Sequence, residues 1–171
     1  MRGIYMDMVK GFLGFALIIF IIGFVYPKLK REIFSRSRYE KQQSFTHQAR
    51  VFVTTASVEQ IKIALGRYIM TDDSVTGAFA GGKYSIVNET ATKITYRHSG
   101  SLMVGGQGDE FTASVTFYAD ENELKAKVSI DSWREKSGVT RNAGIRAMED
   151  FINTVIAAFE EVDSNVKMTI L

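Results

Sequence analysis

The sequence predicts an α+β fold in which one N-terminal transmembrane helix precedes an antiparallel sheet packed on a long C-terminal helix. Three observations lead to this prediction. An uncharged apolar run extends from Gly11 to Tyr26, short alternating segments occupy much of residues 50–133, and apolar residues recur every three or four positions between about Arg141 and Val162. We divide the 171 residues into an anchor with its flank (1–27), a basic juxtamembrane helix or linker (28–48) and a soluble domain (49–171).

The anchor holds 17 residues between Lys10 and Lys28, and we expect Pro27 to end it. At about 1.5 Å per residue the run spans about 25 Å, and Lys10 can extend toward the headgroups to complete a crossing of about 30 Å. The alternatives are a buried core helix, which so small a domain could hardly surround, and a signal peptide, for which no small-residue cleavage site follows. The anchor residues are Gly11, Phe12, Phe15, Ile18, Phe20, Ile22, Phe24 and Tyr26.

Lys and Arg side chains are concentrated on the C-terminal side of the anchor. Two precede the apolar run and six follow it within residues 28–41, so the positive-inside rule puts the C-terminal domain in the cytoplasm. The absence of cysteine agrees with that side. These cations either determine topology alone or contact anionic headgroups. The residues expected to contact anionic lipid are Lys28, Lys30, Arg31, Arg36 and Arg38.

Charge also argues against nucleic acid as a partner. Residues 1–48 carry eight Lys/Arg against three Asp/Glu, whereas residues 49–171 carry thirteen against sixteen. The domain is therefore weakly acidic, which is the wrong sign for binding a phosphate backbone.

The soluble domain begins with a predicted strand at Arg50–Thr55. Ser57 and Gln60 then match a capping box and predict a helix. Its expected apolar face consists of Val58, Ile61, Leu65, Tyr68 and Ile69.

Turn-rich connections join the following strands, which predicts an antiparallel meander. A weak strand is expected at Ala78–Phe79, and clearer ones at Tyr84–Asn88, Lys93–His98, Phe111–Tyr118 and Leu124–Trp133. Their polar positions put the second face of the sheet in water, namely Thr112, Ser114, Thr116, Lys125 and Lys127.

The C-terminal helix must bury its apolar stripe on the sheet. Val166, Met168 and Ile170 alternate after it and predict either a short final strand or a frayed tail. The residues expected to line the core, or a pocket between helix and sheet, are Phe111, Val115, Phe117, Val128, Ile130, Met148, Ile152, Val155 and Phe159.

This order of elements, and above all the stretch Ala147–Asp163, resembles the helix-grip domains of the START-like (SRPBCC) superfamily over residues 49–165. The resemblance implies a curved sheet around the last helix, with a hydrophobic pocket between them. Those domains usually have more strands and two short helices after the first strand. Here the segment between Thr55 and Gly77 has room for little more than one helix, so a reduced pocket or none is expected. An NTF2-like cone is the alternative fold.

No motif predicts catalysis, a cofactor or a metal. Gly77–Lys83 fits G-x-x-x-x-G-K, but Tyr84 follows where a phosphate-binding loop needs Ser or Thr, so we interpret it as a glycine-rich hairpin. Only His47 and His98 could serve as nitrogen ligands or bases, and cysteine is absent.

We therefore expect a single-pass, non-enzymatic protein that serves as an accessory or assembly subunit of a membrane complex, with membrane lipids and other membrane-protein subunits as partners. The alternative is a membrane-tethered domain that binds a lipid or another apolar small ligand; an enzyme on the same scaffold ranks third. An apolar cavity of roughly 300 Å³ would favour the ligand. A filled core with an exposed apolar patch would favour a protein partner.

Overall fold

The N-terminal segment is one continuous helix that passes through Pro27. This computed structural model describes residues 2–29, 33, 36–69, 71, 84–100, 109–119, 123–135 and 138–171. Helix α1 (Arg2–Phe20) runs through a π-helical turn (Ile21–Val25) into α2 (Tyr26–Leu29). Proline has no N–H and its ring crowds the carbonyl four residues earlier. The wider π turn, in which the Tyr26 N–H donates to the Ile21 carbonyl, accommodates it. The helix therefore continues beyond Pro27, where the anchor was expected to end, as the prediction of a juxtamembrane helix implies.

Helix α3 (Arg36–Thr46) follows, and it packs on the soluble domain. Its Gln42 and Phe45 side chains are buried, within the segment 28–48 that the sequence predicted to be a juxtamembrane helix or linker. The helix contacts both the fifth strand and the C-terminal helix. The domain that the structure describes thus extends N-terminally to include α3.

Strand β1 (Arg50–Thr54) and helix α4 (Val58–Tyr68) lie where they were predicted. The capping box is formed: the Gln60 N–H donates to Ser57 Oγ, and Gln60 Oε1 accepts from the Ser57 N–H. The predicted apolar face is wrong at Tyr68, because that side chain is 41% exposed and forms a hydrogen bond with Glu161 on the C-terminal helix. Ala64 takes a buried place on that face instead.

Within the described residues, the sheet has six antiparallel strands in the order β2-β3-β4-β5-β1-β6. The predicted meander is confirmed as β2 (Tyr84–Glu89), β3 (Lys93–His98), β4 (Phe111–Ala119) and β5 (Leu124–Trp133). The C-terminal residues form β6 (Lys167–Ile170), which extends the sheet beyond β1. The weak strand at Ala78–Phe79 and the loop Gly77–Lys83 lie outside the described residues.

Helix α5 (Asn142–Val162) covers one face of this sheet, and α4 packs beside it. The alternate residues predicted to point inward from β4 and β5 are buried. On the opposite face Lys125 and Lys127 are exposed as expected. Ser114 is an exception at 2% exposed, and its Oγ lies 3.2 Å from the Ser129 Oγ on the neighbouring strand.

A bulge in β5 changes which way its last residues point. Thr112 pairs with Ser132 but Ala113 pairs with Ile130, which leaves Asp131 as the extra residue. Trp133 therefore lies opposite Phe111, on the face that carries the core. Simple alternation from Ile130 would have put Trp133 on the other face.

Candidate functional site

The described residues bury no part of the apolar helix. Its 19-residue window Gly11–Leu29 has a mean hydropathy of 2.2 and is 0% buried, so it is long and apolar enough to cross a membrane, as the apolar part of a signal sequence can also be. In the part of the chain that the structure describes, it is therefore not a buried core helix. All eight predicted anchor residues lie on this helix and are exposed. Phe12 and Phe24 are more than 70% exposed, and the Phe20 and Phe24 rings stack at 5.4 Å.

Helix α3 is fixed to the domain by a buried amide. Gln42, which is fully buried, accepts a hydrogen bond at 2.7 Å from the backbone N–H of Thr140. Its Nε2 donates to Glu135, whose same oxygen also accepts from the Trp133 indole at 2.8 Å. Buried amides are stabilising only when they are paired in this way. The sequence pattern gave no sign of this contact, because Gln42 lies in a charged stretch without apolar periodicity.

A buried arginine completes the attachment of α3. Arg50 is 7% exposed; its guanidinium lies 5.2 Å from the centre of the Phe45 ring and donates to the carbonyls of Gln48 and Ser44. Burial lowers the pKa of Arg50 from its usual value. The ring face and two carbonyls compensate for the water that the cation loses.

A basic groove of about 540 Å³ lies between the start of α3 and the start of α5. Arg36, Arg38 and Lys41 line it from α3, and Arg146 lines it from α5. Two of the five predicted lipid-contacting residues, Arg36 and Arg38, are therefore brought together. Lys28 is exposed on α2, and Lys30 and Arg31 lie outside the described residues.

The sequence pattern did not identify Lys41 and Arg146 as members of this groove. Lys41 is one of the six cations that follow the apolar run, but it is not among the five residues expected to contact anionic lipid. Arg146 lies far along the chain in an ordinary amphipathic helix, and only the packing of α3 on α5 brings it near Arg36 and Arg38.

The nine residues predicted to line a core or pocket are all buried, each at most 4% exposed. Side chains of α5 and of the sheet contact one another directly. Phe159 stacks on Phe52 with ring centres 4.4 Å apart, and the Phe151 ring lies within 6 Å of Tyr96 and Phe111. At these positions the helix and the sheet meet in one packed core.

His98, the base considered from the sequence, is part of that core. It is 3% exposed, stacks on Phe111 at 5.1 Å, and its Nδ1 lies 2.9 Å from the Asp109 carbonyl oxygen. Of the neighbouring tyrosines, Tyr96 is buried and Tyr84 is partly buried. Burial, assisted by Glu89, raises the pKa of Tyr96 to about 12, and burial also raises the pKa of Tyr84. Within the described ranges no three His, Asp or Glu side chains cluster as metal ligands would.

Asp163 joins the end of α5 to the end of β1. Its carboxylate accepts hydrogen bonds from Thr54 Oγ1 at 2.7 Å, the Thr55 N–H at 3.1 Å and the Asn165 N–H at 2.9 Å. The bond from Thr54, followed by the two backbone bonds, lowers the pKa of Asp163 from its usual value. Asp163 thus anchors the turn that leads into β6.

Comparison with known proteins adds little to this geometry. No protein-family model and no curated protein matches the chain. One similar solved structure is that of the protein TTHA0849 from Thermus thermophilus, which has a TM-score of 0.30 and 11% sequence identity. The match covers 67% of this chain and 94% of that one. At that TM-score the likeness supports neither a family nor a function.

Proposed function

We propose that the protein is a single-pass membrane protein with a helix-grip-like, non-enzymatic domain that serves as an accessory or assembly subunit of a membrane complex. The observation that carries this proposal is the direct packing of α5 on the sheet, with Phe159 stacked on Phe52 at 4.4 Å. Side chains that would surround a ligand in a helix-grip pocket touch each other instead. A filled interface favours a role in protein contacts over one in carrying an apolar ligand.

The exposed edge of the sheet supports a protein partner. β6 is the last strand in the sheet order, and its Met168 and Ile170 are 43% and 52% exposed. Both lie on the face that carries Phe52, since Met168 pairs with Phe52 and Ile170 with Arg50. Apolar side chains on an open edge strand are suited to pairing with another chain. The occupant we propose is another membrane-protein subunit.

The anchor and its flanking charge support a membrane location. No residue of the window Gly11–Leu29 is buried, and so much exposed apolar surface is unfavourable in water and favourable in lipid. Its C-terminal flank is the more basic, which favours a cytoplasmic domain.

The test is native mass spectrometry of the full-length protein extracted from its own membrane in mild detergent. We expect a protein mass that retains residues 1–27, together with a stoichiometric membrane-protein subunit. A bound apolar small molecule without a protein partner would overturn the accessory role in favour of the ligand-binding alternative. Loss of the N-terminal segment would overturn the anchor.

Two neighbouring variants locate the partner surface. Met168→Lys adds a charge to the core-side face of β6, whereas Thr169→Lys adds the same charge to the opposite face of that strand. We expect only Met168→Lys to lower recovery of the partner subunit. Equal recovery with both variants would exclude this face of β6 as the contact.

A further inference from the structure

The groove between α3 and α5 collects four cationic side chains from two distant parts of the chain. Arg36, Arg38 and Lys41 come from the juxtamembrane helix, and Arg146 comes from the second turn of the long C-terminal helix. The volume of about 540 Å³ is in the range of sites that hold small molecules. Like charges held close together repel one another, so a bound anion would stabilise those cations that have no acidic partner.

Two of these cations are already neutralised and two are not. Arg36 pairs with Glu40 at 2.8 Å, and Lys41 pairs with Glu149 at 2.7 Å. Among the described residues, Arg38 and Arg146 form no ion pair. Within this group, therefore, the two uncompensated charges are on guanidinium groups, whose planar forks suit the oxygens of a phosphate.

The groove also lies close to the end of the apolar helix. Ile33, which lines the groove, is only four residues beyond Leu29, the last residue of the candidate membrane span. Four residues reach at most about 14 Å even when fully extended. A helix that crosses a membrane would thus hold this wall of the groove within reach of the lipid headgroups.

We propose that this groove binds the phosphate headgroup of an anionic phospholipid, with Arg38 and Arg146 as the direct phosphate ligands and with Arg36 and Lys41, each already paired with a glutamate, also lining it. The inference rests on the membrane anchoring in the proposed function, but it does not depend on the partner subunit. A zwitterionic headgroup binds less well, because its own ammonium group is repelled by the surrounding cations. The first turn of α5, where Asn142 lines the groove, adds a favourable helix dipole.

The experiment uses the full-length protein purified in an uncharged detergent without its partners. Short-chain phosphatidylglycerol and short-chain phosphatidylcholine are titrated separately, and bound lipid is counted by native mass spectrometry. We expect the anionic lipid to bind more tightly. Arg146→Gln should weaken that binding about fivefold, which is the effect of one cation near a headgroup, while Arg146→Lys should retain much of it.

The matched control is Lys127→Gln, which removes the same charge from the exposed face of the sheet, away from the groove. We expect phosphatidylglycerol affinity to be unchanged in that variant. Equal losses in Arg146→Gln and Lys127→Gln, or equal binding of the two lipids to the wild type, would overturn the site. Displacement of the lipid by millimolar inorganic phosphate would show a free-anion site and would overturn the assignment to a headgroup. The partner-subunit result is unaffected by any of these outcomes.

Discussion

The backbone N–H of Thr140, just before α5, donates a 2.7 Å hydrogen bond to the side chain of Gln42 on α3. Through Gln42 the juxtamembrane helix is joined both to the start of the C-terminal helix and, by way of Glu135, to Trp133 at the end of β5. A displacement of α3 would therefore break buried hydrogen bonds. If the apolar helix spans a membrane, the domain is attached to it through a packed element and not only through a linker.

Replacing Gln42 with leucine should destabilise the domain. The side chain keeps a similar size, but the buried Thr140 N–H loses its acceptor, which costs about 1–3 kcal/mol of unfolding free energy. The measurement is urea unfolding of the full-length protein in detergent, followed by the fluorescence of Trp133, the only tryptophan in the sequence.

The control for this variant is Gln48→Leu, at an exposed position just after α3. Its unfolding free energy should change by less than about 0.5 kcal/mol. If Gln42→Leu is as stable as Gln48→Leu, the buried hydrogen bond does not hold α3 on the domain.

The contact between Phe52 and Phe159 should be among the most stabilising in the core. Both rings are almost completely buried and stack at 4.4 Å, so Phe159→Ala leaves a cavity between the helix and the sheet. We expect a loss of about 3–5 kcal/mol in unfolding free energy. Ile63→Ala on α4, where the side chain is 62% exposed, should cost less than about 0.5 kcal/mol by the same measurement. Comparable losses would mean that this interface is not the packed core described above.

The elements that follow simple periodicity were predictable from the sequence. Alternation in β4 and β5 and the three-to-four spacing in α5 identified side chains such as Val115 and Val155 that are fully buried, because burial on one face imposes that pattern. The capping box at Ser57 was equally predictable from the sequence, since it depends on two residues only three positions apart.

The candidate groove was not predictable from the same signals. Arg146 and Arg38 line the same groove only because α3 packs against α5. That packing depends on the buried polar side chain of Gln42 and not on an apolar stripe. The bulge at Asp131 similarly turns the Trp133 side chain toward the core, and the alternation in the sequence does not predict that bulge. Contacts between residues far apart in the chain, made by polar groups, leave no periodicity to detect.

Asp163 should make the stability of the domain depend on acid pH. Its pKa is lowered in the folded protein by the bonds from Thr54, Asn165 and Thr55, so its stabilisation is present above the unfolded pKa of about 3.8 and is lost as pH falls through the lower folded value. Asp163→Asn removes this carboxylate. We expect the difference in unfolding free energy between wild type and variant to shrink between pH 6 and pH 3.

Glu160→Gln is the control for that acid titration, because it removes a carboxyl group from the exposed side of the same helix. Its difference from the wild type should stay nearly constant over this pH range. A constant difference for Asp163→Asn as well would mean that the three hydrogen bonds do not favour the ionised carboxylate.

Tyr96 should make the domain lose stability at alkaline pH. Burial, with a smaller contribution from Glu89, raises its pKa from about 10 to about 12, so between these values the unfolded chain releases the phenol proton while the folded protein keeps it. The stabilisation is thus complete below pH 10 and is lost as pH rises through 12, by about 3 kcal/mol in unfolding free energy. In Tyr96→Phe the alkaline loss should be smaller by that amount, because no phenol remains to ionise.

Tyr118→Phe, at a position 53% exposed, should lose stability with pH as the wild type does. The measurement is urea unfolding at a series of pH values from 9 to 12. Parallel curves for wild type and Tyr96→Phe would show that the Tyr96 hydroxyl reaches water in the folded protein, contrary to its place beneath α5.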